Sequence, residues 1–217
     1  MTWIDDLFAA LTDSTAWPEY AARMLQHLGI SFLAVLLASL IAIPAGTAIG
    51  HTGRGSLLVG GVSGAARALP TLGLLTIFGL IFGIGLGAPL LALVILAIPS
   101  VLAGTYAGIA AVDRNTIDGS KAMGFTEAQL IGRIELPLAA PVIVGGVRNA
   151  ALQVIATATL AAYTADIGLG RLIFHGLKTR DYIEMLTGSV LVILLAWVVD
   201  LLFGRIASLL RRAIRTA

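Results

Sequence analysis

The sequence predicts an all-α membrane protein, a polytopic bundle of about five spanning helices. Three observations carry that prediction. From Ala68 to Val112 the chain runs 45 residues without an Asp, Glu, Lys, Arg or His. About 20 apolar residues already cross the hydrocarbon core, so this run holds two crossings and a turn. The composition is 58% hydrophobic and only 12% charged, with a mean hydropathy of +0.97, far outside the soluble globular range. Glycine is frequent, at 25 of 217 residues, and small residues let helix backbones approach closely in lipid, where burial gives no drive for association.

Taken in order, the first element is a short amphipathic segment. Trp3, Ile4, Leu7, Phe8 and Leu11 fall on one helical face with Asp5 and Asp6 off it. That pattern fits a helix lying in the outer interface, and it fits a frayed terminus with scattered apolar residues nearly as well. Met1-Thr2-Trp3-Ile4-Asp5-Asp6 is acidic where a secretory signal is basic, so no signal peptide is expected. Five spans follow, at about 24–46, 68–84, 89–111, 138–163 and 185–204, each an apolar run bounded by charges or by Gly and Pro. Gly83-Ile84-Gly85-Leu86-Gly87-Ala88-Pro89 is the turn between the second and third. Thr47 to Arg67, Gly-rich and moderately apolar, has room for an additional half-span. Three G-x-x-x-G spacings, Gly46/Gly50, Gly79/Gly83 and Gly104/Gly108, read as close packing within the chain rather than as a dimer motif.

Basic residues set the orientation. One set of connections holds nine, Arg54, Arg67, Arg114, Lys121, Arg133, Arg205, Arg211, Arg212 and Arg215; the other holds Arg23, Arg171, Lys178 and Arg180. Cytoplasmic loops carry the excess, so the N-terminus is expected outside and the C-terminus inside. The chain then divides into an outer interfacial segment (1–23), a single transmembrane domain (24–204) and a basic cytoplasmic tail (205–217) attracted to anionic lipid.

Several chemistries are excluded. There is no cysteine, hence no disulfide, thiolate metal site or cysteine nucleophile in the chain. His27, His51 and His175 are too scattered for a metal site. A net charge of +2 gives no reason to expect nucleic acid. No Gly-x4-Gly-Lys-Ser/Thr loop, H-E-x-x-H or G-x-S-x-G occurs, so no phosphate loop, zinc protease or hydrolase elbow is expected. No inverted repeat relates the two halves.

The informative polar segment is 113–137. Asn115-Thr116 is expected to cap a first short helix, Gly124 to stop it in the left-handed conformation, Thr126 to cap a second with Gln129 three residues on, and Pro137 to end the loop. Polar positions face outward, while Ile117, Met123, Phe125 and Leu130 turn toward the bundle. On spacing alone the segment reads as readily as a plain connector.

The run Asp118-Gly119-Ser120-x3-Gly124-x9-Ile134-x-Leu136-Pro137 resembles the EAA loop (Glu-Ala-Ala-x3-Gly-x9-Ile-x-Leu-Pro) of binding-protein-dependent ABC importer permeases. In that family the loop's helical part docks on an ATPase. The resemblance therefore implies a coupling role for Asp118, Gly119, Ser120, Lys121, Gly124, Ile134, Leu136 and Pro137. Asp118 stands for Glu, and Gly119 and Ser120 for the two alanines; Gly119 weakens the helix by up to ~1 kcal/mol relative to Ala.

Within the family the chain is most similar to the osmoprotectant branch, which imports glycine betaine, carnitine, choline or proline betaine. The similarity is carried by Leu25-Gln26-His27-Leu28, Ile43-Pro44-Ala45-Gly46, Arg67-Ala68-Leu69-Pro70-Thr71, Thr105-Tyr106-Ala107-Gly108-Ile109, Gly146-Val147-Arg148-Asn149-Ala150, Gly168-Leu169-Gly170-Arg171-Leu172-Ile173-Phe174, Asp181-Tyr182 and Asp200-Leu201-Leu202. Two departures stand out: Ala103-Gly104 where relatives often carry Arg-Asn, and Asp166 in a stretch that relatives keep uncharged. The resemblance implies a second permease chain, identical or similar, two cytoplasmic ATPases that bind the ATP and Mg, and an extracytoplasmic binding protein. No covalent chemistry is expected of this chain. Rival readings are the same architecture carrying another betaine-like solute such as ergothioneine, a stand-alone channel, or a membrane enzyme.

Several charged and aromatic residues are candidates for a role in or beside the membrane. Arg148, eleven residues past Pro137, would lie ~16 Å into the bilayer. It can border a substrate path, hydrogen-bond backbone carbonyls, or snorkel to the inner surface. Tyr106 and Tyr163 could offer aromatic faces to a quaternary ammonium. Asp200, near the end of the last span, is expected to pair with Arg205 or a loop Arg. Asp166, Arg171, His175 and Lys178 lie in the longest external loop, where the resemblance implies docking of the binding protein.

Overall fold

The computed structural model describes Thr2–Thr216. The side chains of Thr2, Ser63, Ala66, Arg67, Ala68, Arg215 and Thr216 lie outside the described residues, and with them the side-chain roles expected of Arg67 and Arg215. The chain is 87% helical, and no strand occurs among the described residues. Helices run in the order α1 (Thr2–Thr12), α2 (Trp17–Thr52), α3 (Ser56–Ala68), α4 (Thr71–Phe82), α5 (Gly87–Ala110), α6 (Arg114–Ala122), α7 (Glu127–Leu130), α8 (Leu136–Thr157), α9 (Gly170–Thr179) and α10 (Tyr182–Thr216). A π turn (Ile131–Glu135) joins α7 to α8, and a 3₁₀ segment (Ala158–Tyr163) follows α8.

Four of these helical stretches are long and apolar enough to cross a bilayer: α2, α5, the run from α7 through Tyr163, and α10. The expected second span is the exception. Its helix α4 has 12 residues, about 18 Å, short of the ~30 Å core. The segment before it, thought able to hold a half-span, contains the 13-residue α3, and Leu69-Pro70 interrupts the two. Pro70 lacks an N–H and disfavours helical geometry at Leu69, so the helix of this stretch starts at Thr71 rather than at Ala68. By contrast α2, with 36 residues, is about 54 Å long and reaches well past a hydrocarbon core. Of the tail expected at 205–217, residues 205–216 continue α10 without interruption, and Ala217 lies outside the described residues. Pro89 lies in the first turn of α5, where a missing N–H leaves no bond unmade; the turn itself is shorter than expected, with Gly83 and Gly85 at φ +76° and +145°.

The chain divides into two compact units. The first comprises residues 1–35, 69–94 and 151–199. Its core is Ile155, Leu169, Leu172, Leu191, Val192 and Leu195, with Leu11, Tyr20, Met24 and Leu28 packed against it. His27 has no exposed surface and pins the unit from α2. Its Nε2 lies 2.9 Å from the Ile155 carbonyl, while Nδ1 accepts the Leu169 N–H at 3.3 Å. The carbonyl only accepts and the amide only donates, so the ring carries its proton on Nε2. The neighbouring Gln26 Oε1 accepts from Gly168 N–H at 3.1 Å. Gly168 has φ +73°, and a Cβ there would come within 2.9 Å of His27 Nδ1, so only glycine suits this turn.

The second unit comprises residues 36–68, 95–150 and 200–217. Glycines bring its helices together. A Cβ on Gly46 would meet Thr105 Cβ at 2.8 Å, and one on Gly50 would meet Ile109 Cβ at 2.7 Å, so the α2 backbone packs directly on the Thr105 and Ile109 side chains of α5. On its other side α5 presents Gly104 to Gly146 of α8, where a Cβ would sit 2.6 Å from the Gly146 Cα. Two of the three G-x-x-x-G spacings are thus crossings within the chain. The third is different: Gly83 ends α4 at a positive φ and faces open space.

Candidate coupling loop and its surroundings

The segment after α5 folds as two short helices whose ends are closed by local hydrogen bonds. Asp113, rather than Asn115-Thr116, caps α6: its side chain accepts from Asn115 N–H. Asp is as good a cap as Asn, and at 113 it has the extended backbone a cap needs. At the other end Gly124 N–H bonds to the Lys121 carbonyl and Phe125 N–H to that of Ser120. With Gly124 at φ +86°, this is the paired-bond stop that ends helices at a left-handed glycine. Thr126 then caps α7 in a reciprocal box: its hydroxyl accepts from Gln129 N–H, and its own N–H donates to Gln129 Oε1 at 2.9 Å.

Asp118, Gly119, Lys121 and Gly124 are exposed and Ser120 is buried, its hydroxyl donating to the Thr116 carbonyl. Ile117 and Phe125 are half-buried and Leu130 fully buried, as expected; Met123 is 71% exposed, contrary to expectation, because it occupies the C-cap and sits outside the helix face. Ile134 and Leu136 are half-buried and Pro137 is exposed. Pro137 does not end the helical run. The preceding turn widens to π geometry over Ile131–Glu135, and helix continues through the proline. A proline clashes with the carbonyl four residues back and makes no bond to it, and a π turn accommodates that missing bond.

A cluster of charges joins this loop to α2. Lys121 Nζ lies 3.0 Å from Glu127 Oε1 and holds that carboxyl below its ordinary value. His51, near the end of α2, stands between Glu127 Oε2 at 3.2 Å and Glu135 Oε2 at 2.8 Å. The partners of His51 lie 76 and 84 positions away, and no local pattern announces them.

Arg148 of α8 donates through Nε and Nη2 to the two oxygens of Asp200 on α10, each at 2.7 Å. The expected pairing of Asp200 with Arg205 does not occur. Nor is Asp200 at a helix end, since α10 continues to Thr216. Tyr106, half-buried, belongs to the same unit as this pair; Tyr163 belongs to the other, exposed, with its ring 6.2 Å from that of Phe174.

The expected external loop is largely helix α9. Asp166 precedes it and lies between two arginines, Arg23 Nη1 at 3.0 Å and Arg171 Nε at 3.4 Å. His175 Nδ1 is 2.7 Å from Glu184 Oε2, and Lys178 is exposed in the last turn. Arg180, at φ +62°, turns the chain back, and Asp181 caps α10 by accepting from the Ile183 and Glu184 N–H groups.

Comparison with known proteins gives concordant results. Residues 34–216 match the family described as binding-protein-dependent transport system inner membrane component. The chain is 35% identical over 182 residues to the choline transport system permease protein OpuBB of Bacillus subtilis (strain 168), covering 84% of each chain. It is 37% identical over 193 residues to the carnitine transport permease protein OpuCB of Listeria monocytogenes, covering 88% of each. Among solved structures it resembles a chain of the MetNI methionine ABC transporter in an inward-facing conformation. The TM-score is 0.78 at 21% identity, covering 92% of this chain and 99% of that one.

Proposed function

We propose that this chain, which belongs to the family of binding-protein-dependent transport system inner membrane components, is the permease subunit of an ATP-driven importer of a small betaine-like osmoprotectant. The observation that carries the coupling half of this reading is the loop. Two capped helices closed at Gly124 make a rigid, mostly polar projection, which is what a separate motor needs to grip. The cargo is supported by the relatives' names, since choline and carnitine both carry a quaternary ammonium.

On this reading two permease chains enclose one path, two cytoplasmic ATPases hold ATP and Mg, and an external binding protein delivers the solute. Five crossings, the fifth made by α4 with its neighbouring turns, put the N-terminus outside and the C-terminus inside. Residues 1–23 lie at the outer interface, 24–204 form the transmembrane domain, and the basic end of α10 meets the inner leaflet. Asp118, Gly119, Ser120, Lys121, Gly124, Ile134, Leu136 and Pro137 form the docking element. Arg148 borders the path with Asp200 as its in-chain counter-ion, and Tyr106 and Tyr163 offer aromatic faces. Asp166, Arg171, His175 and Lys178 meet the binding protein. ATP binding closes the motors, and the docked loops carry that movement into the bundle as alternating access.

Purifying the complex from its native membrane tests this directly. An ATPase and a binding protein should co-purify, and uptake in liposomes should require both. Uptake of the solute by this chain alone would overturn the reading.

A further inference from the structure

A lever must be fastened at more than one point if its movement is to reach a whole bundle. The loop is continuous with α8 through the π turn; its second fastening is His51. The ring is 15% exposed and touches a carboxylate with each nitrogen: Nδ1 with Glu135 Oε2 at 2.8 Å, Nε2 with Glu127 Oε2 at 3.2 Å. Glu127 in turn holds Lys121 of α6. Four side chains from α6, α7, the π turn and α2 therefore form one line, Lys121–Glu127–His51–Glu135.

The geometry makes this line a clasp: each ring nitrogen of His51 meets a different carboxylate, one from α7 and one from the π turn, so a single α2 side chain holds both ends of the joint. Glu135 is 2% exposed, and a carboxylate so placed is tolerated only with a partner beside it. The π turn that relieves Pro137 is what carries Glu135, so the fastening sits at the joint between loop and span.

We propose that His51 is the positioning residue through which movement of the docking loop is handed to α2, coupling ATP hydrolysis to opening of the path. This rests on the loop's docking role proposed above. The test uses the complete complex of permease, ATPase and binding protein in proteoliposomes, reading solute imported per ATP hydrolysed. His51→Ala alone leaves Glu135 buried without its partner and can simply fail to assemble. The double variant His51→Ala/Glu135→Gln removes both sides of the buried contact. It should assemble, retain the ATPase and hydrolyse ATP, yet import roughly fivefold less solute per ATP, the low end of ordinary coupling between sites. A residue that merely stabilised the fold would shift the thermal midpoint and leave that ratio alone. An unchanged ratio with the ATPase bound overturns the clasp and leaves the docking role standing. Loss of the ATPase from the double variant also overturns it, by moving His51 into the docking surface itself. Failure of the docking role shows separately, in a Gly124→Val complex that keeps its ATPase.

Discussion

Arg148 and Asp200, 52 positions apart in the chain, meet in a two-point ion pair that ties α8 to α10, with both oxygen–nitrogen distances at 2.7 Å. Planar guanidinium and carboxylate fit each other in this way, and a single arginine in apolar surroundings needs such a partner. The pair accounts for the presence of an arginine in an otherwise uncharged stretch of α8 and of an acid in the last span.

Arg148→Ala should leave Asp200 without its cation, so the thermal midpoint of the purified chain falls, and Asp200→Asn should lower it likewise. The double variant Arg148→Gln/Asp200→Asn removes both charges and should recover the midpoint. Uptake then separates architecture from transport. If the pair borders the path, the stable double variant imports poorly; wild-type uptake by that variant confines the pair to architecture.

Gly124 has φ +86° and open space around its Cα, so substitutions there act through backbone conformation alone. A side chain in the left-handed region costs about 1–2 kcal/mol and more for β-branched residues, whereas Asn tolerates it. Gly124→Val should therefore insert normally and lose the ATPase on purification, and Gly124→Asn should keep it. Equal co-purification with both variants removes the loop from the docking surface.

The helix pair at 113–130 was legible because its signals are local. A left-handed glycine, a Thr-x-x-Gln box and their spacing act within a few residues; the first cap lies at Asp113 rather than Asn115-Thr116, and Met123 turns outward rather than inward. His51–Glu135 and Arg148–Asp200 were not legible, since their meaning arises from partners 84 and 52 positions distant. The helix of the stretch at 68–84 starts later than hydropathy suggests, because Pro70 breaks the backbone between α3 and α4. The glycine spacings at 46/50 and 104/108 were visible, but only the crossings reveal which helices they let together.

The α5–α8 crossing leaves no room at Gly104. A Cβ there would press on the Gly146 backbone, which cannot yield as a flexible side chain would. Overpacking of this kind costs about 1–3 kcal/mol, so Gly104→Ala should lower the thermal midpoint measurably. Gly29 sits in the same kind of long helix with nothing within 4 Å, and Gly29→Ala should leave the midpoint unchanged or raise it slightly. A reversal of that order would contradict the crossing.

His27→Leu keeps the volume of a buried side chain but strips the Ile155 carbonyl and the Leu169 N–H of their shared partner. Each unmatched buried polar group costs about 1–3 kcal/mol. The Leu169 amide should then exchange with solvent hydrogen faster by roughly tenfold or more, the factor that corresponds to ~1.4 kcal/mol. Protection at Leu169 equal to wild type would mean that Gly168 and Gln26 hold the turn without the histidine.

The proposed orientation puts α6 and α9 on opposite sides of the membrane, and the absence of native cysteine makes that directly measurable. Asp118 and Lys178 are both exposed and lie in short helices outside the long apolar ones. A thiol introduced at either place is accessible whenever the reagent shares its compartment. With an impermeant maleimide on intact cells, Lys178→Cys should label and Asp118→Cys should not. Asp118→Cys should label once the membrane is permeabilised. The excess of Lys and Arg on the connections that include α6 makes this the favoured topology, because such residues resist translocation. Labelling of Asp118→Cys in intact cells would put the loop beyond the reach of any cytoplasmic motor, and the coupling role of both Gly124 and His51 would fall with it.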